Sequence, residues 1–89
     1  MLIALIARDK PGALNIRKAN REAHLAYIKE TGVVTQAGPL LDDVGEMTGS
    51  LVILEVQDMA AAQEWADMDP YAKAGLFESV QLIHWKKVI

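Results

Sequence analysis

Two residues of this 89-residue chain combine a suitable type with a suitable setting for acid–base chemistry: His24 and Asp69. At about 100° per residue, Arg17, Arg21, His24 and Ile28 fall on one stripe of a helix-forming segment, with Leu14 and Leu25 beside it. A histidine at the edge of a packing face can take or give a proton, and two guanidinium groups on the same stripe can hold a carboxylate or an enolate. The same pattern also fits a core-edge ring satisfied by backbone carbonyls and arginines lying solvated over apolar neighbours. Asp69 sits in "DMDPY", directly before Pro70. Proline disfavours helical geometry at the residue preceding it, so Asp69 has to leave its helix, while Pro70 suits the first position of a new helical turn. An aspartate there caps that turn, and it can also point back across the domain to orient a histidine. Spacing leaves both accounts open.

The elements that must position these residues follow from periodicity. "LIALIAR" is a near-continuous apolar run closed by "DKPG", which predicts a strand buried on both faces and then a turn. Ala13 to Thr31 is rich in helix formers and is followed by Gly32 as a C-cap. "VVTQAGPL" predicts a second strand broken by Gly38 and Pro39. "GSLVILEV" predicts a third, after a polar connection containing Asp42, Asp43, Gly45, Glu46 and Gly49. Asp58 is placed to cap a second helix, "MAAAQEWADM", and "FESVQLIHW" is the last strand. The order β-α-β-β-α-β, with right-handed crossovers, predicts an α+β, ferredoxin-like domain over residues 1–89: a four-stranded antiparallel sheet with two helices on one face. In "LIALIA" and "LVILEV" both alternating sets of side chains are apolar, so the second sheet face needs a cover. A second copy of the same sheet supplies it at least cost, as a homodimer.

Composition narrows the function classes. Without cysteine there is no disulfide framework, thiolate metal site or cysteine nucleophile, which points to reducing cytoplasm. The apolar amino terminus is too short to span a bilayer and lacks a basic leader, so no membrane partner is expected. A net charge of −3 argues against a phosphate backbone, and the first and third strands carry no aromatic residue on which bases could stack, so no nucleic acid is expected. "LDDVGE" lacks the ligand positions of a calcium loop and is read as an exposed hairpin tip; no metal is assigned. Neither Ser50 nor Ser79 lies in a G-x-S-x-G elbow. Trp65, Trp85, Phe77, Met59 and Met68 are read as core or dimer-face packing, and His84 as a surface residue.

Six stretches in order, "REAHLAYI", "TQAGPL", "TGSLVILE", "AQEWADMDPY", "AGLFESVQL" and "HWKKVI", resemble the YciI-like proteins of the YCII-related domain family. The resemblance implies a ferredoxin-like protomer of the dimeric α/β-barrel superfamily and an active site made from a histidine on the first helix and an aspartate before proline, His24 and Asp69 here. It also maps Gly38, Pro39, Gly49 and Ser50 onto cleft-shaping turns.

The resulting expectation is an enzyme in which His24 and Asp69 act as a general acid–base pair in a cleft, on a small anionic or cyclic metabolite, by proton transfer, elimination or hydrolysis, with no cofactor. Arg17, Arg21, Gly38, Pro39, Ser50 and Tyr71 are expected to bind the substrate. The alternative is a non-catalytic module. "ARDKPGAL" is similar to the strand-to-helix turn of ACT domains, which would bind a small ligand at the "DKPG" turn and leave His24 dispensable.

Overall fold

The apolar run at the amino terminus becomes β1 (Leu2–Asp9), the central strand of the sheet together with β3 (Met47–Glu55). In a computed structural model describing residues 1–89, the remaining elements are α1 (Leu14–Thr31), β2 (Val34–Leu41), α2 (Met59–Met68), α3 (Pro70–Lys73) and β4 (Phe77–Trp85). The strand order is β2-β3-β1-β4 and every pairing is antiparallel, which is the predicted ferredoxin-like arrangement. No helix is long and apolar enough to cross a membrane.

The core lies between the sheet and the helices. Alternation puts Ile3, Leu5 and Ala7 of β1 on one face with Val52 and Leu54 of β3, where they meet Ala62, Trp65 and Ala66 of α2. The last three stand at helical spacing and form the helix's buried stripe. Asp58 caps α2 as expected, its Oδ1 accepting the Ala61 N–H at 2.8 Å. Gly32 ends α1 at φ 65°, a left-handed cap that glycine adopts without a Cβ penalty. The two long helices are tied by polar tips: the Tyr27 hydroxyl donates to the Trp65 carbonyl (2.8 Å) and the Trp65 indole N–H donates to Thr31 Oγ1 (2.9 Å).

The opposite sheet face is apolar as well. Ala4 and Ile6 of β1 are flanked there by Leu51 and Ile53 of β3 and by Ile83 of β4, with Leu51 41% and Ile83 46% exposed. Met68 lies outside both the core and this face: it is about half exposed on the helix layer.

The structure corrects the reading of "AGPL" and "TGS" as turns. β2 runs through Gly38 and Pro39, and β3 begins at Met47, with Gly38 opposite Leu51, Pro39 opposite Ser50 and Leu40 opposite Gly49. Proline is admitted because β2 is an edge strand, where a missing N–H need not break the ladder. Gly49 is there for space: a Cβ at this position would stand 2.3 Å from the Ala7 carbonyl oxygen. The hairpin tip is only Asp42–Glu46, closed by Asp42 Oδ1 accepting the N–H groups of Val44 (3.0 Å) and Glu46 (2.9 Å).

Candidate functional site

α1 is an 18-residue helix whose only fully buried residues are Arg17 and His24, two turns apart on one face. A helix that buries its two polar residues in preference to its leucines must find them partners, because an unpaired buried polar group costs on the order of 1–3 kcal/mol. The partners come from β1, β3 and the junction of α2 with α3.

His24 is met from the break between α2 and α3. Asp69 takes φ −60°, ψ 128°, leaving the helical region before Pro70, and its side chain turns inward to 1% exposure. Oδ1 accepts from the Tyr71 backbone N–H at 3.0 Å, capping α3, and lies 2.7 Å from His24 Nδ1. Both accounts left open by the sequence are therefore true of one oxygen. An ionised carboxylate only accepts, so the proton of the neutral imidazole sits on Nδ1 and the lone pair on Nε2. The other oxygen, Oδ2, is buried with no hydrogen-bond partner.

Tyr71, second residue of α3, stacks on the imidazole with ring centroids 3.9 Å apart and planes 14° from parallel. Phe77, first residue of β4, meets its edge at 6.0 Å and 85°. Burial pushes the Tyr71 phenol above its ordinary value of 10.0, with Asp69 adding to the rise and Arg17 and Arg21 opposing it.

Arg17 is held from two strands. Its Nε donates to Asp9 Oδ2 (2.7 Å) and its Nη2 to Asp9 Oδ1 (2.9 Å), a bidentate fork, and Nη2 also donates to Ser50 Oγ (2.9 Å). Its Cζ stands 4.7 Å from the Tyr71 ring centroid. Burial alone would lower the pKa of Arg17, but the hydrogen bond and charge of Asp9 more than offset it, so the net shift is upward and the guanidinium stays charged.

The site residues read from the sequence thus divide. His24, Asp69, Tyr71, Arg17 and Ser50 form one buried contact chain. Arg21 is exposed on α1. Gly38 and Pro39 are exposed on β2, where, with Leu40, Leu51 and Ile53, they line a hollow of about 430 Å³. None of the protomer's surface hollows is lined by His24 or Asp69, and His24 is 6% exposed. Asp9 is the member that sequence reasoning missed. It reads as the first residue of the "DKPG" turn, and pairing eight residues ahead across a strand-to-helix turn follows no helical or strand spacing.

Comparison with known proteins adds a family and a fold. A family model for the YCII-related domain matches residues 1–86. Protein YciI of Escherichia coli O6:H1 (strain CFT073) is 41% identical, the alignment covering 99% of each chain. The solved 5-chloro-2-hydroxyhydroquinone dehydrochlorinase TftG of Burkholderia phenoliruptrix AC1100, in complex with 2,5-dihydroxybenzoquinone, superposes with a TM-score of 0.87 at 35% identity, covering 97% of this chain and 94% of that one. A putative antibiotic biosynthesis monooxygenase of Bacteroides thetaiotaomicron VPI-5482 shares the fold alone, with a TM-score of 0.63 at 17% identity over 100% of this chain and 90% of that one.

Proposed function

The chain belongs to the YCII-related domain family, and from that premise we propose that it is a cofactor-free enzyme catalysing elimination from a small cyclic, anionic metabolite. The observation that carries this reading is the buried contact of 2.7 Å between His24 Nδ1 and Asp69 Oδ1, which leaves Nε2 as the basic atom. In the step, Nε2 takes a proton from a substrate O–H and returns it to the ring carbon that bears the leaving group, giving the keto tautomer; a second O–H proton then passes to Nε2, its electron pair moves through the ring, and the leaving group departs from the now tetrahedral carbon as an anion with its bonding pair. Asp69 holds the ring in the Nδ1–H tautomer and balances the imidazolium that forms. Arg21, exposed one turn before His24 on α1, holds the substrate's negative charge. The dehydrochlorinase activity of TftG supports this reaction class, and its ligand supports an oxygenated ring as substrate.

The protein works as a cytoplasmic homodimer in this reading, with the apolar sheet faces of two copies packed together over Ala4, Ile6, Leu51, Ile53 and Ile83. The test uses halogenated hydroxyhydroquinones as probes, followed by ring absorbance and by halide release. General acid–base catalysis supplies on the order of 10²–10⁴ in rate, so His24→Ala is expected to lose that factor in kcat. Unchanged turnover in His24→Ala would remove the mechanism.

The non-catalytic alternative has one observation on its side. A hollow of about 280 Å³ lies against the "DKPG" turn, lined by Asp9, Lys10 and Gly12 and, across from them, by Asp42, Glu46 and Thr48. Calorimetric titration with free amino acids separates the readings: heat that survives His24→Ala and disappears in Lys10→Ala favours a sensing module.

A further inference from the structure

A hydrogen bond through Nδ1 fixes one atom of the His24 ring but leaves the plane of the ring free to swing about that contact. Something else has to aim Nε2. Residues 17 and 24 are seven apart on α1, which places them about 10 Å apart along the helix axis. The Tyr71 ring, 3.9 Å from the imidazole and 4.7 Å from the Arg17 guanidinium carbon, spans that separation and touches both. Its edge is closed by Phe77 and its backbone is held by Asp69. The guanidinium is in turn pinned by three hydrogen bonds, two from the fork to Asp9 and one to Ser50.

We infer that Asp9, Arg17 and Tyr71 are positioning residues that set the plane of the His24 imidazole, Arg17 acting through the Tyr71 ring and not on the substrate. The inference rests on the reading of His24 as the acid–base group. Three observations carry it. Arg17 is 2% exposed and three of its five N–H donors are taken, so it has little left to offer a ligand. A buried ion pair is weak support for stability, since apolar residues of equal volume commonly serve as well, so its presence calls for a geometric reason. The planar guanidinium is the one cationic side chain that can be forked by a carboxylate at its rim and still present a flat face to an aromatic ring.

The experiment is a substrate-free one, so it is decided whether or not turnover is ever found, whereas the elimination reading falls or stands on His24→Ala. Imidazole ¹⁵N and ring ¹H signals of His24 are recorded in the full-length protein, with exposed His84 as internal reference, for Arg17→Lys, Asp9→Asn, Tyr71→Phe and Tyr71→Leu. Arg17→Lys keeps the charge but loses the fork and the flat face, and Tyr71→Phe keeps the stack but loses the hydroxyl. The expected result is that His24 loses its ring-current shift and broadens into exchange in Arg17→Lys, Asp9→Asn and Tyr71→Leu, while Tyr71→Phe retains the wild-type signature and His84 stays put throughout. A folded Arg17→Lys or Asp9→Asn with an unmoved His24 overturns the inference. So does a Tyr71→Phe that releases the ring as fully as Tyr71→Leu. Should Arg17→Lys fail to fold, the Phe-against-Leu contrast at position 71 decides between the same two results.

Discussion

Replacing Asp69 separates two duties that one oxygen performs. In Asp69→Ala both are lost: the cap of α3, worth about 1 kcal/mol, and the acceptor of the buried His24 N–H, whose loss costs about 1–3 kcal/mol. The expected destabilisation is about 2–4 kcal/mol, and at about 4–8 °C per kcal/mol for a chain of this length the melting temperature falls by roughly 8–30 °C. Asp69→Asn behaves differently. Asparagine caps as well as aspartate and its amide oxygen can still take both donors, while its NH₂ enters the Oδ2 position, already without a partner, exchanging an orphan acceptor for an orphan donor. Only the charge assistance disappears, about 1 kcal/mol. Thermal melts by circular dichroism therefore place Asn close to wild type and Ala far below, whereas turnover drops in both because neither can balance an imidazolium. Equal melting temperatures for Asn and Ala would refute the shared-oxygen argument. Wild-type turnover in Asn would refute the role of the charge.

Gly49→Ala is expected to cost about 1–3 kcal/mol or more, because its Cβ would meet the Ala7 carbonyl, a backbone atom that cannot swing aside, whereas Gly38→Ala has nothing within 4 Å to meet; urea midpoints at constant m-value test the contrast. Burial raises the phenols of Tyr27 and Tyr71 above 10.0, so the fold holds their protons more tightly than the unfolded chain does. The stability this contributes is complete below pH 10.0 and is lost as pH climbs through the raised values; denaturation midpoints against pH should show that fall, reduced in Tyr71→Phe. Leu51→Glu, in the centre of the open sheet face, is expected to give a monomer by light scattering at micromolar concentration, and an undiminished dimer would move the interface elsewhere.

The fold was legible wherever one local rule governed. Unbroken apolar runs marked β1 and β3, Asp58 and Gly32 marked helix ends, and the pair Asp69-Pro70 marked the break between α2 and α3. Gly38 and Pro39 misled because their chemistry suits a turn and an edge strand equally, and only the strand order, a tertiary fact, decides between them. At the site, His24 and Asp69 stood out one by one, but 45 residues separate them and their contact depends on how α3 folds back onto α1. Arg17 misled for the opposite reason: a cation on an exposed-looking stripe reads as a ligand holder until the carboxylate of Asp9 is seen to occupy it.

Pro39 has a consequence for how copies of this chain meet. A sheet with one apolar face open faces two competing routes of association, growth along its rim and closure of one sheet onto another, and only the second terminates. On the β2 rim, an incoming strand would look for a donor at residue 39 and find a pyrrolidine ring, with a side-chain-free Gly38 beside it. The open face carries no such obstacle. By withholding a ladder donor, a single imino acid works against the endless route on that rim.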